Sequence, residues 1–229
     1  MARNRFVSTV VGITGACIVA GLYRLNYGPY SHTYGQYLIV NLMGLLWLPM
    51  LVILFVLRDE PAQYGFSLGL SRRIWLWVGA LFVALLLVLI PASRFKAFQD
   101  YYPLFKQYRE FTGAFVNYPK QNPFITAPWL MIYAEASYGM YLFCWEFFFR
   151  GYLLQGLARS IGWGAVLAQA AAFTILHAGK PTIEIVSSFG AGIILGMIAM
   201  NARSFVPCYV LHWAASITFD LLVIANRHT

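Results

Sequence analysis

Apolar residues along this chain fall in long uninterrupted blocks, with the polar residues gathered between them. Seven blocks stand out, at about 6–25, 35–57, 74–93, 126–146, 162–178, 183–202 and 204–225. A hydrocarbon core of roughly 30 Å needs about 20 apolar residues in a helix. In lipid every backbone polar group must be satisfied within the segment, so the helix is the natural solution. The pattern therefore predicts an all-α, polytopic transmembrane helical bundle of about seven spans. The first block is the weakest, with Gly, Thr and Ser throughout. Its basic start and apolar run look like a signal peptide, but ahead of further spans they read as a retained first span. No Pro interrupts the residues after the fourth block, so that helix is predicted to continue to about Leu157.

Two loops are substantial. RDEPAQYGFSLGLSRR (58–73) is polar, with Pro61 and two Gly. The segment 94–121 is longer, and its YYPLFKQYREF part alternates aromatics with charges. That alternation predicts an interfacial amphipathic segment lying on the membrane. No repeat divides the chain. It reads as one integral domain, with N-terminal spans and the interfacial loop over 1–123 and a helical core over 124–229.

Composition agrees with the pattern: 60% of the residues are hydrophobic and only 10% charged. An ordinary soluble domain has about 25% charged residues. The formal net charge of +8 raises nucleic acid as a partner. The Lys and Arg lie mostly at the edges of apolar blocks, however, with no basic run and no Gly-rich phosphate loop. Lipid is the partner this distribution predicts, and nucleic acid is excluded. An arrangement with the N-terminus inside gathers Arg3, Arg5, Arg58, Arg72, Arg73, Arg159 and Arg203 on one side. It leaves Arg94, Lys96, Lys106, Arg109 and Lys120 on the other. Cys17, Cys144 and Cys208 all lie in apolar blocks and none forms C-x-x-C, so they read as small buried hydrophobes.

Candidate chemistry concentrates in the C-terminal half, where Glu135, Glu146, Arg150, His177, Glu184, His212 and Asp220 fall inside the blocks or at their mouths. Intramembrane ionisable residues are functional candidates when a partner can be named. Glu146 and Arg150, in CWEFFFRGYLL, are four apart and share a helix face. His177 closes a span just before Gly179 and Pro181. Glu184 opens the next span, where an acid complements the helix dipole, and no cation stands at helical spacing from it. His212 is mid-span, with Ser216 one turn on and Asp220 two turns on. Each has a plain structural reading taken singly: an ion pair, a dipole partner, a hydrogen-bonded core histidine. Together they can converge in one polar pocket. There a carboxylate takes a proton, a second group positions water, and a donor stabilises an oxyanion. The set Glu146, His177 and His212 also offers ligands for a divalent metal such as zinc, with one position left open. No H-E-x-x-H supports that reading.

The series E-x-x-x-R-G (Glu146–Gly151), F-x-x-x-H (Phe173–His177) and a mid-span His212 resembles the CPBP family. These are the CAAX-protease and bacteriocin-processing membrane proteins, also called the Abi family. The run 190–213 is similar to the last two spans of that family, and the likeness covers about 124–225. It implies an intramembrane endopeptidase that cleaves a membrane-embedded or membrane-proximal peptide or protein with activated water. The family's pattern is E-E-x-x-x-R, F-x-x-x-H, and His followed four residues on by Asn or Asp. The first Glu and the second-motif His activate the water, and the last His and its Asx serve the oxyanion. Trp145 stands at the place of the first Glu and Ser216 at that of the Asx. Glu146, His177 and His212 are then the expected catalytic residues, with Arg150 fixing Glu146. Glu184 and Asp220 are the acids on hand as replacements, and Ser216 supports His212. W-E-F-F-F-R-G (145–151) resembles a bacterial branch of the family, which implies the bacterial inner membrane.

Two rivals stay open: a non-catalytic scaffold or immunity protein on the same fold, and a small transporter using the buried acids and histidines as a proton relay. Transporters often show matched halves with broken spans, and no such symmetry is visible in this chain.

Overall fold

The computed structural model describes residues 1–26, 33–68 and 71–227. Gly69 and Leu70 of the polar loop lie outside the described residues. All the regular structure among the described residues is helical. Helix α1 is Ala2–Asn26 and α2 is Tyr34–Leu57. Thr33 and Gln36 cap α2 reciprocally, the Thr33 hydroxyl accepting from the Gln36 N–H and the Gln36 carbonyl oxygen from the Thr33 N–H. Pro49 has no N–H to give, and α2 loosens into π-helical turns on either side of it, Met43–Trp47 and Val52–Leu57. Helix α3 is Arg72–Ala92.

The fourth helical run, α4, joins an α-helical segment Pro128–Glu146, a π-helical turn Phe147–Leu153 and a second α-helical segment Leu154–Ile161. Helix α5 is Gly164–Ile175, α6 is Thr182–Ala202 and α7 is Val206–Asn226.

The expectation of seven spans is corrected. Among the described residues five helices are long and apolar enough to cross a membrane: α1, α2, α3, α6 and α7. In α4 every residue of Phe147–Leu153 is buried, and the tyrosines and acids of Pro128–Glu146 dilute its hydropathy. Helix α5 has 12 residues; at 1.5 Å per residue it reaches about 18 Å, short of the hydrocarbon thickness.

Helices α1, α2, α5, α6 and α7 gather around α4. On the α1 side, the Ser8 hydroxyl donates to the Gly156 carbonyl at 2.8 Å, and the hydroxyls of Thr14 and Tyr152 are hydrogen-bonded. Helices α5 and α6 are tied by Gln169, whose amide donates to the Gly192 carbonyl at 2.7 Å. Helix α7 runs antiparallel to α4 and is anchored by the Trp213 indole N–H on the Glu135 carbonyl at 3.2 Å. Gly139 makes this contact close: a Cβ there would stand 2.4 Å from the Trp213 ring. Helix α3 packs on α7 at the edge of the bundle, with Val78 its one buried residue.

The loop 94–121 differs from the interfacial segment expected. It forms short helical turns whose Phe98, Tyr102, Leu104, Phe105 and Phe111 are buried against the bundle, chiefly on Tyr34, Met131, Phe219 and Val223. Its aromatics find protein to cover, so it caps one end of the helices. Cys144 and Cys208 are buried as expected, whereas Cys17 is exposed on the outer face of α1.

The opposite end carries a charge cluster. Asp59 accepts from Arg3 at 2.6 Å, from the Tyr64 hydroxyl at 2.9 Å and from Arg159 at 2.8 Å. Burial pushes the Asp59 carboxyl up, but the hydrogen bonds from Arg3 and Tyr64 and the charge of Arg159 outweigh it, and the group lies below the ordinary carboxylate range. A carboxyl depressed on folding contributes stability above its unfolded value, near 4, and loses it as pH falls through the folded value. Melting temperature in detergent is therefore expected to drop between about pH 5 and about pH 3. Asp59→Asn should melt lower than wild type at neutral pH and show a shallower acid drop. An unchanged acid profile would count against Asp59 as the link between α1, this loop and α4.

Candidate active site

Where α4 passes into its π-helical turn, an acid and a base stand in the middle of the bundle. Glu146 and Arg150 are both 0% exposed. Gly151 permits the burial, because a Cβ there would stand 2.5 Å from the Tyr64 carbonyl oxygen and push the covering loop away. Arg150 Nε lies 3.2 Å from Glu146 Oε2, though not aligned for a hydrogen bond. The Arg150 guanidinium carbon sits 4.1 Å from the centroid of the Phe173 ring, a cation–π contact reaching across from α5. An isolated ion in such a place costs several kcal/mol even after relaxation. The opposite charge and the ring together offset that, and a third group joins them from α7: His212 Nδ1 lies 2.7 Å from Glu146 Oε1.

His177 follows α5 directly. Its Nδ1 lies 2.8 Å from the Phe173 carbonyl, and its ring packs on Phe173 with centroids 4.4 Å apart. The Trp145 indole closes the other side, 5.7 Å from the His177 ring. The His212 ring stands 6.3 Å from the same Phe173 ring. Phe173 is thus the shared wall of the site, touched by Arg150, His177 and His212.

The partners decide the tautomers. A carbonyl can only accept, so His177 Nδ1 carries the proton and Nε2 presents a lone pair. A carboxylate oxygen likewise accepts, so His212 Nδ1–H donates to Glu146 Oε1, leaving His212 Nε2 at the open end of the ring. The His212 side chain is 24% exposed, whereas Glu146 has no exposure.

The remaining expected residues lie elsewhere. Glu184 takes Lys180 at 2.7 Å and the Tyr102 hydroxyl at 2.7 and 2.8 Å. The expectation of no cation at helical spacing is therefore corrected: Lys180 is four residues before Glu184, hidden from the helical pattern because Pro181 separates them. Ser216 is half-buried, one turn beyond His212. Asp220 is about 12 Å along the helix axis from His212 and is set against Glu135. Tyr102 and Lys180 are the partners that sequence reasoning missed; both come from turns, where periodicity carries no signal.

The donor set fits a metal poorly. Arg150 stands beside one Glu146 oxygen and His212 meets the other, and among the described residues no three His, Cys, Asp or Glu side chains are grouped to hold an ion.

Residues 124–218 match the family model described as Type II CAAX prenyl endopeptidase Rce1-like. The match covers less than half of the chain and contains α5, α6, the site on α4 and α7, and all three motifs around Phe173. No curated protein and no solved structure matches the chain.

Proposed function

We propose that this chain is an intramembrane endopeptidase of the CPBP type, acting on a membrane-embedded or membrane-proximal peptide or protein. The observation that carries the reading is the approach of His177 and His212 to the one Phe173 ring, with Glu146 of α4 hydrogen-bonded to His212 of α7. The Rce1-like match over 124–218 supports it. The W-E-F-F-F-R-G likeness supports the bacterial inner membrane as its location.

In this reading the roles divide among the three residues. His177 Nε2 takes a proton from water as its oxygen attacks the peptide carbonyl carbon. That proton passes to the leaving amine nitrogen as the C–N bond breaks. His212 in its charged form donates from Nε2 to the oxyanion, and Glu146 stabilises that charge and holds the ring. Glu146 is thereby a positioning carboxylate and not the water's base: it is buried and meets Arg150 with one oxygen and His212 with the other. Glu184 is occupied by Lys180 and Tyr102 and does not replace the missing acid.

A non-catalytic scaffold or immunity protein is the second reading, favoured by Trp145, a buried indole where the family pattern has an acid. The two separate by mapping peptide termini in membranes from cells expressing wild type, Glu146→Gln, His212→Ala or Glu184→Gln, each first shown to be folded. The protease reading expects new termini with wild type and Glu184→Gln, and their loss in the other two. Identical termini in all four membranes would leave the scaffold.

A further inference from the structure

Helices α4 and α7 meet at a second pair of titratable groups, away from the Glu146 site. Glu135 lies three turns before Glu146, and Asp220 two turns after His212. The antiparallel packing sets the two carboxyls against each other. Glu135 is 7% exposed and Asp220 2%. Both Glu135 carboxyl oxygens and Asp220 Oδ1 lack a hydrogen-bond partner. Among the described residues no Lys, Arg or His comes within ion-pair distance of either. The charged groups facing Asp220 at longer range are Lys106, from the capping loop, and Lys180, from the α5–α6 turn. Tyr34 of α2 and Tyr138 of α4 complete the surroundings. The Trp213 anchor on the Glu135 carbonyl keeps the two helices from parting here.

Two ionised carboxylates are acceptors only. Face to face inside a bundle they repel and leave lone pairs unmet. One proton changes this: the protonated group becomes a donor to the other, and the pair keeps a single negative charge toward Lys106 and Lys180. A hard metal cation suits the site less well. Such ions take six or more oxygens, and no third His, Cys, Asp or Glu joins the pair among the described residues.

We propose that Glu135 and Asp220 form a proton-binding site in the membrane, holding one shared proton at neutral pH and releasing it in alkaline solution. The site stands apart from the protease reading and does not depend on it.

Infrared spectroscopy of the purified full chain in detergent tests it. Wild type at neutral pH is expected to show a protonated-carboxyl C=O band that shifts in D2O and fades in alkali. Glu135→Gln and Asp220→Asn each supply a permanent amide donor, so each should lose that band. Wild-type melting temperature should fall as pH rises from neutral, since the folded chain holds a proton that the unfolded chain has released. Either amide variant should flatten that alkaline slope. If neither variant folds, the wild-type spectrum decides alone. Absence of an exchangeable acid band at neutral pH overturns the proposal. So does an equal band in wild type and variants, or a wild-type band that disappears on adding sodium or calcium salt.

Discussion

Arg150→Ala is expected to lose most of its folded protein. The substitution removes the cation from beside Glu146, which remains with no exposure and only His212 as a partner. Breaking a buried pair by deleting one member costs about 3–5 kcal/mol, and the cation–π contact with Phe173 goes with it. A polytopic protein of ordinary marginal stability does not absorb such a loss. Removing Glu146 and Arg150 together leaves no uncompensated charge, so the double variant should be milder than Arg150→Ala alone. Monodisperse yield and melting temperature in detergent read both. Normal accumulation and melting of Arg150→Ala, with cleavage abolished, would show that Arg150 acts on substrate and does not serve Glu146.

His177→Ala should do the reverse, keeping the fold and losing the chemistry. The imidazole hydrogen-bonds within its own chain turn, to the Phe173 carbonyl, and otherwise packs on Trp145 and Phe173. Its deletion leaves no buried charge, so melting should fall only modestly. Cleavage should fall by about 10²–10⁴-fold, the ordinary contribution of a positioned general base. The measurement is the appearance rate of the wild-type-dependent peptide termini, at matched amounts of folded protein. Retention of more than about half the wild-type rate would remove His177 from the mechanism, since a base contributes about a hundredfold or more.

Helices were legible from the sequence to within two residues at blocks 35–57, 74–93, 183–202 and 204–225, whose counterparts are Tyr34–Leu57, Arg72–Ala92, Thr182–Ala202 and Val206–Asn226. Block hydropathy is a local property, and lipid leaves a chain few alternatives to helix. The Glu146–Arg150 pair was legible for a related reason: an i,i+4 spacing juxtaposes two side chains whatever surrounds the helix. The motifs around Phe173 were visible as an ordered series.

Lateral packing was not legible, and it decided the rest. Whether an apolar helix faces lipid or its neighbours depends on which helices stand beside it, so the block pattern does not reveal that Phe147–Leu153 is buried throughout. It was tertiary structure that set His212 on Glu146 and Asp220 on Glu135, sorting two carboxylates of one helix between an imidazole and another acid. It also gave Glu184 to Lys180 and Tyr102 and folded the loop 94–121 onto the bundle. Each of these contacts joins residues far apart in the chain or separated by a proline, where sequence spacing carries no geometry. The physical reason is the same throughout: periodicity specifies the face a residue occupies on its own helix, whereas partner and exposure are properties of the neighbour that covers that face.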